Sequence, residues 1–266
     1  MLSKNQIKSI QALHLKKHRE EQQLFIVEGK KIIKEVLSSS IIVQHLYATP
    51  LFMNEAETVA LLNTADKTGF KREHTIEVSE EELKKISALT TPNSALAVCK
   101  IPANKIDYTA IANGLTLYLD DIRDPGNLGT IIRVADWFGI RQLICSPSTT
   151  ELYNPKVIQS TMGSFLRVNV VYEELKNVLT KIEALNSSIP VYGAVLDGEN
   201  IYSQSTLNKG IVVIGNESKG ISEDTLKLLT HKIKIPSASA SGAESLNAAI
   251  ASSLIIAEFF RRDHNN

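Results

Sequence analysis

The sequence predicts an α/β protein in two parts: a small N-terminal α/β domain over residues 1–102 and a larger domain over 103–266 built on a mostly parallel sheet. Three observations carry this. Short apolar runs alternate with amphipathic stretches of helical period along the whole chain, the pattern of strands joined by crossover helices. A polar stretch, Pro102-Ala-Asn-Lys105, interrupts that alternation and reads as a linker. Beyond it, three strands end in loops rich in Gly, Asn, Ser and Pro, the place where open α/β sheets bind ligands.

The first element is a helix. Ser3 and Gln6 form a capping box, and Ile7, Ile10 and Leu13 then follow one face. Lys16, Lys17, His18 and Arg19 crowd its expected end, where cations complement the helix C-terminus or contact phosphate. Phe25–Val27 is a strand, and Glu28-Gly29 turns into a helix over Lys30–Leu37 with Ile32, Ile33, Val36 and Leu37 inward. A strand over 41–47, a helix over 52–63 and a strand over 75–78 follow. Ser79-Glu-Glu-Glu82 is a second capping box opening a helix to about Ala88, and Ala95–Ile101 is the closing strand.

The larger domain begins with strand Leu115–Leu119 and the loop from Asp120 to Gly129; a helix with Ile131, Ile132, Ala135 and Phe138 inward comes next. Then come a strand over 142–145, a helix capped by Asn154 with Pro155 at its first position, and a strand over 165–171. A helix over 173–185, strands over 191–196 and 211–214, a helix over 222–230, a strand over 232–235 and a last helix over 245–262 complete the chain. The alternation implies helices on both faces of the sheet.

Composition excludes several classes. Hydrophobic residues at 43% and charged residues at 22% describe an ordinary folded protein of zero net charge, not a strongly basic clamp. The one basic region is the first 35 residues, with eight Lys or Arg against four Glu. Cys99 and Cys145 lie apart in apolar runs and read as buried thiols. The six His show no metal-ligand spacing, so no metal is expected. The N-terminus lacks a signal-peptide core and no run of ~18 apolar residues exists, so the expected location is the cytoplasm.

The three polar loops span 120–133, 215–220 and 235–247. Singly, each reads as a turn or cap; together at strand ends they imply one shared pocket. Known phosphate loops do not fit. Gly215 and Gly220 have the phosphate-loop spacing, but Ile221 and Ser222 stand where Lys and Ser/Thr belong. No G-x-G-x-x-G follows the first strand and no G-x-S-x-G elbow is present. What remains is backbone donors, amides, one Glu and one Arg, a set suited to a neutral or zwitterionic heterocycle beside a hydroxyl or phosphate.

Asn127-x-Gly129-x-x-x-Arg133, Gly215-x-Glu217-x-x-Gly220, and Ile235-Pro236 followed by Ser245-Leu246-Asn247 before a small-residue helix, in this order, resemble the SpoU/TrmH branch of the SPOUT RNA methyltransferases. The resemblance covers nearly the whole chain, with a ribosomal-protein-like substrate-binding domain in front. The chain departs from the pattern at Gln159, at the Ser-Ala-Ser-Ala-Ser run after Pro236, and at Ala248-Ala249.

The resemblance implies a trefoil-knotted fold, a homodimer, and S-adenosylmethionine as methyl donor to a ribose 2′-hydroxyl of rRNA or tRNA. Leu196, Gly215, Asn216, Gly220, Ile235 and Leu246 are then expected at the cofactor. Arg133, Asn127, Glu217, Ser245 and Asn247 form the expected catalytic set. A guanidinium is a poor base, so Arg133 is expected to grip phosphate and stabilise alkoxide character; the competing reading is an ion pair with Asp124 or Asp136. Lys16, Lys17 and Arg19 are the expected RNA contacts. The alternatives are a catalytically silent RNA-binding or ribosome-assembly protein of the same fold, and a nucleotide-dependent small-molecule enzyme.

Overall fold

The computed structural model describes residues 1–64, 70, 72–91, 93–185, 187–203, 209–238 and 244–263. The chain divides into two compact units, Met1–Ala103 with Glu151–Leu166, and Asn104–Thr150 with Arg167–Asn266. The first boundary lies between Ala103 and Asn104. The return of 151–166 to the first unit has no signal in local periodicity.

The first unit runs α1 (Lys4–Ala12), α2 (Lys16–Gln22), β1 (Leu24–Glu28), α3 (Lys30–Leu37), β2 (Val43–Ala48), α4 (Pro50–Met53), α5 (Ala56–Thr64), β3 (Thr75–Glu77), α6 (Glu80–Ile86) and β4 (Ala95–Lys100). Both expected capping boxes form, at Ser3 with Gln6 and at Ser79 with Glu82. The sheet order is β1-β4-β2-β3, with β4 antiparallel to β1 and β2, and β3 parallel to β2. Ile10, Leu13, Ile26, Tyr47, Leu83, Leu96 and Val98 pack α1 and α6 onto one sheet face.

One helix boundary differs from expectation with consequences. The first helix stops at Ala12, and a second begins at Lys16 after Leu15 adopts an extended conformation. Leu13 is buried at this break, which folds α2 back so that Arg19 Nη1 donates to Leu13 O at 2.6 Å. That bond satisfies a carbonyl which the end of α1 leaves without a helical partner.

The second unit opens with α7 (Tyr108–Asn113), β5 (Leu115–Leu119), α8 (Pro125–Trp137) and β6 (Gln142–Cys145). Helix α9 (Pro155–Thr161) belongs to the first unit. Asn154 caps it by accepting from Lys156 N, and Pro155 opens it. Beside it Tyr153 and Phe165 lie 4.5 and 6.1 Å, centroid to centroid, from Phe25.

The second unit resumes with β7 (Asn169–Tyr172), α10 (Leu175–Glu183), β8 (Val191–Asn200), β9 (Gly210–Ile214), α11 (Glu223–Leu226), β10 (His231–Lys234) and α12 (Ala248–Asp263). The sheet order is β10-β8-β9-β5-β6-β7, and every pairing is parallel, as expected. Ile144, Val178, Val191, Ile211 and Val213 are among the buried residues of its core. Cys99 and Cys145 are buried free thiols, and burial pushes both thiol pKa values up.

Candidate cofactor and acceptor site

The site is built at the carboxyl ends of β5 and β9. After β5 the chain turns sharply through Asp121, a non-glycine residue at φ 58°. This conformation is uncommon outside glycine, and here the surroundings hold it. Ser146 Oγ accepts from Asp121 N at 2.9 Å, and Thr149 Oγ1 accepts from Ile122 N at 3.2 Å. Asp124 then caps α8 by accepting from Asn127 N, and Pro125 occupies the first turn. Helix α8 thus starts earlier than the composition of its Gly- and Pro-containing loop implies, and Asn127 and Gly129 lie in its first turns.

After β9 the chain makes a closed loop. Asn216 and Gly220 form a two-way backbone bridge, at 3.0 and 2.9 Å. A Cβ on Gly215 would stand 2.3 Å from Gly220 C and 2.4 Å from Ile221 N, so only glycine fits there. Gly220 itself has φ +70°. Asn216 Oδ1 accepts from Ser218 N and Lys219 N, and its Nδ2 donates to Asp121 O at 2.8 Å. Asn216, expected at the cofactor, therefore has its side chain and its backbone engaged in shaping the loop. Asp120 Oδ2 accepts from Ser222 N at 2.8 Å and ties the two loops again.

The three motif loops meet through one chain of side-chain bonds. Asn247 Nδ2 donates to Asn127 Oδ1 at 2.8 Å, and Asn127 Nδ2 donates to Glu217 Oε1 at 2.6 Å. Asn247 Oδ1 also accepts from Ala249 N and Ile250 N, capping α12. Each amide thus donates on one side and accepts on the other, and the carboxylate at the end strengthens its bond by its charge. Ser245 and Leu246 are exposed beside Asn247, and Ile235 follows β10. Residues 239–243 of this third loop lie outside the described residues.

Arg133 lies on α8 and is exposed. The expected competing ion pairs do not form among the described residues: Asp136 accepts from Arg167 Nε at 2.8 Å, and Asp124 serves as the cap of α8. Leu196 is 74% exposed. Strand β8 does not end there as expected. It pairs with β10 at Tyr192 and Gly193, bulges outward, and pairs again at Glu199 and Asn200, so Leu196 sits on the excursion.

The expected RNA contacts in the first unit divide. Arg19 is buried, with Nε and Nη2 donating to Glu151 Oε1 and Nη1 to Leu13 O. Burial lowers its pKa. Arg19 is therefore a structural residue, a correction to its place among the phosphate contacts. Lys16 and Lys17 are exposed and lie near Glu20 and Glu21 at 3.6 and 3.8 Å, pairs of the weak helical-surface kind.

Comparison with known proteins bears on this geometry. Residues 114–257 match the SpoU rRNA Methylase family, and residues 4–97 match the MRM3-like substrate binding domain. The chain belongs to the SpoU rRNA methylase family. A methyltransferase of Bacillus subtilis (strain 168), the 23S rRNA (guanosine(2553)-2'-O)-methyltransferase RlmP, is 29% identical over 96% of both chains. A solved structure of a putative RNA methyltransferase of the TrmH family from Porphyromonas gingivalis is 35% identical, with TM-score 0.84 over 98% of this chain and 99% of that one. An AdoMet-bound rRNA methyltransferase from Sinorhizobium meliloti is 25% identical, with TM-score 0.83 over 98% and 96%.

Within this SpoU chain the three sequence motifs converge, while the residues that support them carry little signal of their own. Asp120, Asp121, Ser146 and Thr149 hold the loop after β5, and nothing in periodicity distinguishes them from ordinary turn residues. Their one sequence signal is the density of Asp, Ser and Thr at strand ends. Among the described residues no group of His, Cys, Asp and Glu could hold a metal ion, and no helix is long and apolar enough to cross a membrane.

Proposed function

We propose that this SpoU-family chain transfers a methyl group from S-adenosylmethionine to a ribose 2′-hydroxyl of ribosomal RNA. The observation that carries the reading is the Asn247–Asn127–Glu217 chain, which joins all three family motifs, with Arg133 exposed further along α8. The donor set fits the cofactor. The rigid loop at Gly215–Gly220, the exposed side chains of Leu196 and Leu246, and the backbone near Ile235 offer apolar contact and amide groups, suited to an adenine and ribose. When bound, the sulfonium supplies the reactive methyl group.

The remaining work belongs to this chain: orientation of the hydroxyl and stabilisation of its developing charge. Asn127, Asn247 and Glu217 hold the loops in register. Arg133, without a competing carboxylate among the described residues, grips the phosphate next to the acceptor and stabilises alkoxide character. Ser245 stands beside Asn247 for contact with the substrate or methyl donor. Lys16 and Lys17 supply phosphate contacts from the substrate-binding unit.

The assembly we infer is a homodimer. On α8 and α12, which pack together with Phe138 and Phe260 at 5.1 Å, Trp137 is 85%, Ile250 53% and Leu254 40% exposed. Trp137 is one helical turn from Arg133, so a second copy covering this apolar surface would lie next to the acceptor side of the site. The trefoil knot of the SPOUT fold is compatible with the sheet order, in which β9 inserts between β5 and the already placed β8. The compartment we infer is the cytoplasm.

The test is incubation of the purified protein with methyl-labelled S-adenosylmethionine and total ribosomal RNA, then digestion to nucleosides. The expected label is in one 2′-O-methyl nucleoside. Binding of RNA without cofactor binding or label would favour the silent assembly protein instead.

A further inference from the structure

The first unit contains a cleft that the methyl-transfer reading does not use. Its volume is about 250 Å³, below the ~300 Å³ at which small-molecule pockets usually begin. That leaves room for a single ring system more readily than for a nucleotide with its phosphates. The floor is apolar, from Ile10, Leu13 and Val98 of the unit's core. The rim and walls are polar and uncharged: Gln6, Ser9, Gln22, Gln44, His45 and Tyr47.

The backbone has been adapted at this wall. In the β2–β4 pairing, Val43 opposes Cys99 and His45 opposes Val98, so Gln44 is an extra residue, a β-bulge. Bulges re-aim side chains and recur next to functional sites. Here the bulge lets two consecutive residues, Gln44 and His45, line the same cleft. Gln44 Oε1 and His45 Nδ1 are both buried without a protein hydrogen-bond partner. The rings of His45 and Tyr47 lie 6.1 Å apart on one sheet face. Burial, reinforced by His74, holds the His45 imidazole below its ordinary pKa, so it presents a neutral ring.

We propose that this cleft takes one unpaired nucleobase of a single-stranded RNA segment. A base is planar and uncharged, and it carries both donors and acceptors on its edges. The Gln6 amide nitrogen, whose oxygen caps α1, and the amides of Gln22 and Gln44 can read those edges while the imidazole offers a face for stacking. An anion or a cation finds no opposite charge among the lining residues. Just outside, Lys100 is exposed opposite Leu24, which also lines the cleft, and stands ready for a backbone phosphate. The inference rests on the RNA-methyltransferase reading and adds a base-recognition site to it.

The test uses the full chain and fluorescence anisotropy with four eight-nucleotide homopolymers (A, C, G and U) and one RNA duplex. Ser9 is exposed on α1, so Ser9→Phe should fill the cleft without disturbing the core. His45→Ala removes the stacking face, and His45→Phe restores it. The expected result is a loss of at least tenfold in affinity for one or more single strands in Ser9→Phe and His45→Ala. Duplex and S-adenosylmethionine affinities should be unchanged, and His45→Phe should recover single-strand binding. Unchanged single-strand binding in both variants, or equal loss on strand and duplex, would overturn the proposal. A wild-type chain that methylates ribosomal RNA yet ignores all four oligomers overturns the cleft alone. One that neither binds S-adenosylmethionine nor methylates RNA overturns the underlying reading as well.

Discussion

Asn127→Ala cuts the side-chain connection that joins the three loops. It removes the 2.6 Å donation to Glu217 and the 2.8 Å acceptance from Asn247. A hydrogen bond to a charged group contributes ~1.5–3 kcal/mol and a neutral one ~0.5–1.5 kcal/mol. Glu217 is half-buried and Asn247 exposed, so the low ends apply and the combined loss is about 2 kcal/mol. If the loops must be in register for the cofactor to bind, that loss appears in its affinity as roughly a 30-fold rise in Kd, since ~1.4 kcal/mol is tenfold. Titration calorimetry with S-adenosylmethionine measures it directly. A double-mutant cycle with Glu217→Ala should return about 1.5 kcal/mol of coupling, because the two residues share that one charged bond. A Kd within twofold of wild type, with no coupling in the cycle, would refute the idea that this chain of amides organises the site.

Arg133→Ala should reduce turnover by at least ~100-fold while leaving cofactor affinity and folding stability (within ~0.5 kcal/mol) unchanged, because the side chain is exposed and supports no other described residue; single-turnover kinetics and thermal unfolding check both halves. Gly215→Ala should abolish cofactor binding, since the new methyl would meet Gly220 and Ile221 backbone below 2.5 Å, and calorimetry should also show a stability loss of about 1–3 kcal/mol. Arg19→Ala should destabilise the protein by ~3 kcal/mol by stranding Glu151 without changing the salt slope of RNA binding, whereas neutralising Lys16 and Lys17 should flatten that slope by about one unit for each phosphate they neutralise in the wild type. The depressed pKa of His45 means the folded state binds its proton less readily than the unfolded chain. Its stabilising contribution is thus complete above the ordinary imidazole range and is lost as pH falls through the lowered value; denaturant titrations across that range should show a slope that His45→Ala removes.

Local chemistry is legible in the sequence wherever it acts over a few residues. Ser3 with Gln6, Ser79 with Glu82 and Asn154 with Pro155 form the caps their spacing announces, and Leu115–Leu119 is a strand at the expected boundaries. What periodicity cannot carry is any bond between distant residues. Asn127 and Glu217 are 90 positions apart, and Asn127 and Asn247 are 120 apart; only the family resemblance places them together. Arg19 departs from expectation for a related reason. A cation in a basic stretch reads as exposed until the break after Leu13 turns it inward onto a carbonyl and Glu151. Leu196 lies on an excursion of β8 whose apolar run reads as an ordinary strand end. The return of Glu151–Leu166 to the first unit depends on packing against Phe25, which no local pattern reports.

The central claim is that this chain methylates a ribose hydroxyl of ribosomal RNA. A map of ribose methylation across total RNA, from cells with and without the protein, tests it most directly. The account predicts that one 2′-O-methyl position in ribosomal RNA disappears and returns with the wild-type chain but not with Arg133→Ala. An unchanged ribose map, alongside loss of a methyl group from a base, would contradict it.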